Sequence, residues 1–416
     1  MPIRYVGYGF TGLRRFRVGR VSERQPQRVD VDDALCVPLT HLPGAELRLT
    51  GGIFRSDGVY VPAAGLVTGK RTIVGPACEP LPSASESLRG RSLYLGPCHY
   101  HYGHFLVETL SRLWCVGRRE LGTFDHILLL PLDGHVSGFV REFFELLGVA
   151  DRLRVVDTPT ALESVCVPAP AIRYPGTVHR HVASIAALFD SDTTAKTAQP
   201  LFLSRAALVP GHHRVLIGEH HIERVLAGQG VRIFHPERHT VAEQITALRE
   251  HRVIIGFAGS GLHTLIPAGG RRQVIAYSAR PAPAVFPLLD MALRNDAIYI
   301  HARRDRTAGK ATVRVGFSPE IIDPRPVLAT LRAAGFIDRY VLGNYGTAAA
   351  DAAEVRRYNT ALILRRALEV SQQMPEADCH AEIAVFQQSH ALDLELLAQA
   401  REGSELMRRF FPEPQT

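Results

Sequence analysis

The chain has 416 residues, 46% hydrophobic and 21% charged, with a mean hydropathy of +0.01. That composition belongs to a folded globular protein with sizeable cores and excludes disorder and collagen-like repeats, and at ~100–200 residues per domain the length calls for two domains and an extension, or for three domains. Forty-eight Lys and Arg against 41 Asp and Glu give +7, spread as arginine pairs such as Arg14-Arg15, Arg271-Arg272 and Arg408-Arg409 without a long run. This suits an anionic small substrate or a membrane surface better than a nucleic-acid arm.

The six cysteines, Cys36, Cys78, Cys98, Cys115, Cys166 and Cys379, form no CxxC pair, so neither a zinc site nor a disulfide framework is expected and reduced cytosol is the default. Met1 to Arg20 lacks the apolar core of a signal peptide, and nowhere do eighteen apolar residues run together. The expected location is cytoplasmic, with any membrane association at the surface.

Residues 1–90 read as short strands and turns (LRLTGG, GGIFRSDGVYVP, TIVGP) with no chemistry in them. Residues 91–195 alternate strand and helix: RSLYLGP, a helix HFLVETLSRLWCVGRR, the strand DHILLLP, the amphipathic helix VSGFVREFFELLG closed by Gly148, then strands LRVVD and SVCVP. The polar stretch from Asp190 to Pro200 reads as a linker. Residues 200–335 repeat the alternation: LFLSR, EHHIERVLAGQG, VRIFHP, TVAEQITALREH, RVIIG, SGLHTLIPAG and RQVIAYS, then IYIHA, ATVRVG and a closing helix PRPVLATLRAAG. Two such halves predict an α/β protein of two Rossmann-like domains facing a cleft, with ligands at the carboxyl ends of the strands.

Residues 336–416 differ. Two long helical patterns, broken at Pro375, carry apolar stripes (Val355, Tyr358, Leu362; Ile383, Phe386, His390) and arginine pairs. They are expected to dock a partner protein or a membrane surface, or else to form a strut on the N-terminal domain.

The strongest local signal is RVIIGFAGSGLHTLIPAGG, a β-branched strand followed by a Gly259-Ser260-Gly261 turn and an apolar helix containing Leu262 and His263. Free N–H groups at such a helix start would suit a phosphate; spacing alone leaves equal room for a tight turn that only lets helix pack on strand. The serial order of LFLSR, Arg214 with Glu219, Glu237 in VRIFHPE, Glu243-Gln244 and IIGFAGSGLHTLI resembles the conserved half of glycosyltransferase family 61. The segment Tyr100-His-Tyr-Gly-His104-Phe-Leu-x-Glu108-Thr-Leu-x-Arg112-Leu-Trp114 is similar to that family's upstream helix.

The resemblance spans residues 90 to 335 and implies a two-Rossmann glycosyltransferase B fold, a nucleotide-sugar donor (a UDP-sugar before others), inversion at the anomeric carbon, and neither metal nor other cofactor. It points to cell-surface polysaccharide synthesis of the bacterial capsular type on a glycan or lipid-linked acceptor, with no nucleic-acid partner. Ala258 stands where the family usually has His, with His263 near enough to replace it, and Thr264 stands where Asn is common.

Arg205 follows a strand and would take a diphosphate bidentately, with Arg214 in the next loop closing over the donor. Glu237 is matched to ribose or sugar hydroxyls, or equally to a helix N-terminal charge. His104 and Glu108, i and i+4 on one helix, are expected to provide a base or acceptor contact held by a carboxylate, the alternative being a buried histidine in a helix salt bridge. Tyr100 and Arg112 support the acceptor side, Arg112 as a structural or phosphate partner. Three other patterns carry little: His99, His101 and His104 lack a ligand set, Asp190-Ser-Asp192 lies in the linker, and Gly65 to Arg71 falls short of a P-loop. The competing functions are an inactive nucleotide- or glycan-binding scaffold, suggested by Ala258, and an NAD oxidoreductase, which the missing third glycine disfavours.

Overall fold

Side chains alternate along Glu86–Cys98 between two apolar faces: Leu93 and Leu95 enter one core, Tyr94 another. The same alternation recurs in His126–Pro131, where Ile127 and Leu129 oppose Leu128 and Leu130. A sheet buried on both faces follows. The computed structural model describes residues 3–6, 19–41, 49–68, 71–76, 80–132, 135–174, 176–189, 195–208, 216–303, 320–343, 348–371, 375–389 and 392–412.

The first sheet has eight strands in the order Leu66–Thr68, Arg71–Gly75, Leu49–Phe54, Arg28–His41, Thr160–Pro168, Glu86–Cys98, His126–Pro131, Leu153–Val155. Its last four strands are parallel to one another, whereas Arg28–His41 runs antiparallel to both its neighbours. The boundary expected at residue 90 therefore falls inside a strand, and the β-rich N-terminal segment is not a separate unit: it supplies half of this sheet. The 14-residue strand Arg28–His41 escaped the sequence reading because the alternation Val29-Asp30-Val31-Asp32 breaks at Asp33, whose φ of +49° shifts the period within the strand.

The second sheet has six strands, all parallel, in the order Ile3–Val6, Asp296–His301, Gln273–Ser278, Val253–Phe257, Leu201–Leu203, Arg232–Phe234. Its first strand comes from the extreme N-terminus. From Leu201–Leu203 the chain passes outward to Arg232–Phe234, then returns to the other side at Val253–Phe257. Strand order thus reverses between Leu201–Leu203 and Val253–Phe257, the topological switch point at which open α/β sheets bind ligands beyond their carboxyl ends.

One core joins the inner faces of both sheets. It takes Leu201, Leu203, Ile254, Val274 and Tyr299 from the second sheet and Leu93, Leu95, Ile127 and Cys166 from the first. Between them lie Phe105, Leu110 and Leu113, the helix Gly138–Leu146 through Val140, Phe143 and Phe144, the helix Val241–Glu250 through Val241 and Ile245, and Val285–Leu293. Phe202, Ile255, Ile275 and Ile298 face outward into a second core under the helices Glu219–Ala227 and Pro324–Ala333. Val285–Leu293 was missed by the sequence reading because it is almost wholly apolar and shows no periodicity to read.

The long C-terminal pattern resolves into more helices than expected. Ala348–Val370 is followed by Glu376–Ser389, Leu394–Gly403 and Glu405–Phe410. The two extra breaks are caps: the Asp393 carboxylate accepts from Leu396 N–H, and the Ser404 hydroxyl from Met407 N–H. Ile363, Leu364, Ile383, Leu397, Met407 and Phe410 close a core of their own. Among the described residues this block touches the second half at strand Leu216–Ile217. The side chains of Val355, Leu362, Phe386 and His390 lie outside the described residues, as do 190–194, 69–70 and the strand expected at ATVRVG.

Candidate active site

The helix expected after Gly103 is not a regular α-helix. One α turn at Tyr102–His104 widens into a π turn at Phe105–Thr109 and tightens into 3-10 geometry at Leu110–Cys115, a sequence of distortions that clusters at functional sites. Through it His104 Nδ1 still meets Glu108 Oε1 at 3.1 Å. Glu108 is buried and His104 half-buried, and the bond to Glu108 holds the His104 imidazolium above the ordinary histidine range against the opposing effect of burial.

Imidazoles surround His104. The His99 ring stacks on it with centroids 4.9 Å apart, His101 meets it edge-on at 5.2 Å, and Tyr174 lies at 6.2 Å. His99 Nδ1 accepts the His101 N–H at 3.0 Å. Tyr100 is exposed beside His99 and His135.

Arg112, expected on the acceptor side, is instead wholly buried. Its guanidinium donates to the carbonyls of Ala63 and Pro168 at 2.7 and 2.6 Å and of Gly65 at 2.8 Å, with the Tyr94 ring beneath it. All of these acceptors are backbone, so the arginine clamps the distorted helix to the loop 62–65 and is not available to a phosphate.

The glycine turn leaves Val253–Phe257 at the switch point. Gly259 has extended backbone, and the helix expected after it is reduced to two short turns, Ser260–His263 and Leu265–Ala268. So short a helix has little macrodipole, and the argument for a phosphate at its start weakens accordingly. Leu262 and His263 are buried while Gly259, Ser260 and Gly261 stay partly open. His263 stacks on Phe286 at 4.5 Å, its Nδ1 meets no hydrogen-bond partner among the described residues, and burial together with His104 and His101 pushes it down to about 3. Burial therefore favours its neutral imidazole form.

These two regions meet. Tyr102 Oη lies 2.9 Å from Thr264 Oγ1 and 3.4 Å from Gln244 Oε1, and a methyl group on Gly103 would sit 2.7 Å from Ser260 Oγ. Glu142 in the first half accepts the Val241 N–H at 2.9 Å, and Gln244 Nε2 donates to the carbonyls of Pro236 and His239. Glu243 is spent on a capping box with Thr240.

Arg205 sits at the carboxyl end of Leu201–Leu203. Its guanidinium lies over the Phe257 ring at 5.3 Å, with Nη1 3.4 Å from where a Gly259 side chain would begin. Its N–H donates at 2.9 Å to Glu219, whose other oxygen accepts from the Tyr277 hydroxyl. Glu219 is fully buried, and desolvation pushes its carboxyl up to about 7 against the favourable effects of Tyr277 and Arg205. Alongside, His235 lies between Glu223 at 3.6 Å and Glu237 at 3.7 Å, and Glu223 accepts from the Ser204 hydroxyl. Glu237 stands in a 3-10 turn ahead of the helix Val241–Glu250 and is engaged by His235. Arg214 lies outside the described residues.

The structure thus draws His104, Glu108, Ser260 and His263 to one place, and Arg205 and Gly259 to the adjoining end of the second sheet. Tyr277 was not singled out in the sequence, and Tyr102 and Glu219 stood there only as motif members with no role assigned. The last had a signal, its fixed spacing from Arg214, but nothing in a sequence says that a carboxylate opening a polar helix turns inward.

No curated protein matches the chain. Residues 102–275 match the family model of Glycosyltransferase 61. That span runs from the first turn of the distorted helix, through Arg205 and Glu219, to the strand beyond the glycine turn, and over it the chain is similar to the glycosyltransferase 61 family.

Proposed function

We propose that the protein is an inverting glycosyltransferase of the B type, its two α/β halves acting as Rossmann-like donor and acceptor sides. The observation that carries this reading is the docking of the His104–Glu108 pair, through Gly103 on Ser260, against the turn at the switch point beside Arg205. Arg205 neutralises the diphosphate of a nucleotide-sugar, a UDP-sugar before others, with Arg214 and Glu237 assisting and residues 259–263 shaping the pocket. No divalent ion or other cofactor is required in this reading. His104 takes the proton of an acceptor hydroxyl as that oxygen attacks the anomeric carbon from the face opposite the leaving diphosphate; Glu108 stabilises the imidazolium formed.

The acceptor is a glycan or lipid-linked glycan of a cell-surface polysaccharide such as a capsule, reached from the Tyr100 side. Among the described residues no helix is long and apolar enough to cross a membrane. The C-terminal helices, with their separate core, serve to dock a partner or a membrane surface. The test is a panel of UDP- and GDP-sugars against NAD in ligand-induced thermal shift, followed by slow donor hydrolysis and the anomeric configuration of the released sugar. Stabilisation by NAD alone, or retention of configuration, overturns the reading; binding without turnover favours a scaffold.

A further inference from the structure

Glu219 has no part in the chemistry above, yet among the described residues it is the one fully buried carboxylate at the donor end of the second sheet. Its oxygens are held from two sides, by the Arg205 N–H and the Tyr277 hydroxyl, so it cannot swing out to solvent when its surroundings change. The described groups that act on its charge are the Arg205 guanidinium, the Tyr277 phenol and Glu223 one turn along its own helix. Arg205 is therefore the cation that favours its ionised form. A diphosphate that pairs with Arg205 adds negative charge beside Glu219 and shares that cation, and a carboxylate in low dielectric answers by binding a proton.

We propose that Glu219 is a proton-linked positioning residue of the diphosphate site: when the donor's diphosphate pairs with Arg205, the Glu219 carboxylate takes up one proton from solvent, and the protonated side chain keeps the Arg205 backbone in place. This rests on the reading of Arg205 as a donor contact. By reciprocity of linkage, donor affinity falls as pH rises through the range in which Glu219 ionises. Its carboxyl, already near 7, titrates where such an effect is measurable.

The experiment is calorimetric titration of UDP-glucose and GDP-mannose, whose diphosphates do not titrate near neutrality, into the full chain in buffers of differing ionisation enthalpy. At pH 7.5 about half a proton is taken up per ligand bound if binding moves Glu219 by one pKa unit, and affinity falls by up to about tenfold between pH 6 and pH 9. Glu219→Gln, a mimic of the protonated acid, removes that Glu219-linked uptake and flattens the profile, and binds several-fold tighter than the parent at pH 8.5. A merely structural Glu219 gives the opposite result, weaker binding by the Gln variant at every pH. Tyr277→Phe, which deletes the hydroxyl bond that favours the carboxylate, moves the transition to higher pH and serves equally if the Gln variant does not fold.

If both ligands bind and Arg205→Ala weakens them, but proton uptake is unchanged in Glu219→Gln, the inference fails and the donor assignment stands. If neither ligand binds, or Arg205→Ala leaves affinity untouched, the donor assignment itself fails and takes the inference with it.

Discussion

Tyr102 Oη lies 2.9 Å from Thr264 Oγ1, so the first turn of the helix that carries His104 is bonded to the turn that follows Ser260. This bond crosses between halves that already share a hydrophobic core. Tyr102→Phe should lower stability by about 0.5–1.5 kcal/mol, the usual net loss for one hydrogen bond, and Thr264→Val by a similar amount. Because the partners are the same bond, the double variant should lose less than the sum, and a double-mutant cycle by denaturant unfolding measures the difference. Additive losses would mean that the hydroxyls meet without coupling.

Much of the second half was legible in the sequence because its strands are β-branched runs between periodic helices: Val253–Phe257, Gln273–Ser278 and the helix Val241–Glu250 all fall where the pattern put them. Contacts between distant segments were not legible. Nothing local announces that Ile3–Val6 pairs with Asp296–His301, or that Arg112 is spent on the carbonyls of residues 63 to 65 and 168. His104 and Glu108 could be paired from their spacing alone, yet the π turn that carries them has no sequence signature. Burial of Glu219 likewise depends on Tyr277 arriving from a strand 58 residues away.

Arg205→Ala should weaken nucleotide-sugar binding by about 1.5–3 kcal/mol, the range for losing a hydrogen bond to a charged group, without changing the unfolding midpoint of the free protein by more than a few degrees. Calorimetry reads the first and thermal unfolding the second. An unchanged Kd removes Arg205 from the donor site.

Transfer should persist after exhaustive EDTA treatment, since in the proposed site Arg205 supplies the positive charge facing the diphosphate. A strict requirement for added Mg²⁺ or Mn²⁺, restored by titration of the metal, would count against a B-type mechanism.

Arg112→Ala should act on the fold instead of on kinetics. Removing the guanidinium strands the carbonyls of Ala63, Gly65 and Pro168, and each buried acceptor left unpaired costs about 1–3 kcal/mol. The expected result is insoluble or partly unfolded protein, whereas a phosphate-binding arginine would leave stability intact and raise KM. Arg112→Lys, a point charge that cannot reach three carbonyls in one plane, should recover only part of the loss.

The pH profile tests the base. The bond to Glu108 holds the His104 imidazolium above the ordinary value of 6.5, and a general base must be neutral to act. Activity should therefore rise with pH, and the midpoint of the acid limb should lie above 6.5. The stabilising effect of the pair runs the other way: it is fully present below 6.5 and is lost as pH climbs through the raised folded value. Glu108→Gln keeps the shape and one hydrogen bond but removes the charge, so it should shift the acid limb to lower pH while lowering kcat at the plateau, because the imidazolium formed during transfer is no longer stabilised. His104→Ala should abolish the limb and lower kcat by roughly 10²–10⁴, with donor Kd little changed because the diphosphate is held from the other half. An acid limb that stays in place in Glu108→Gln would detach it from His104, and a kcat unaffected by His104→Ala would move the base to another residue of the first half.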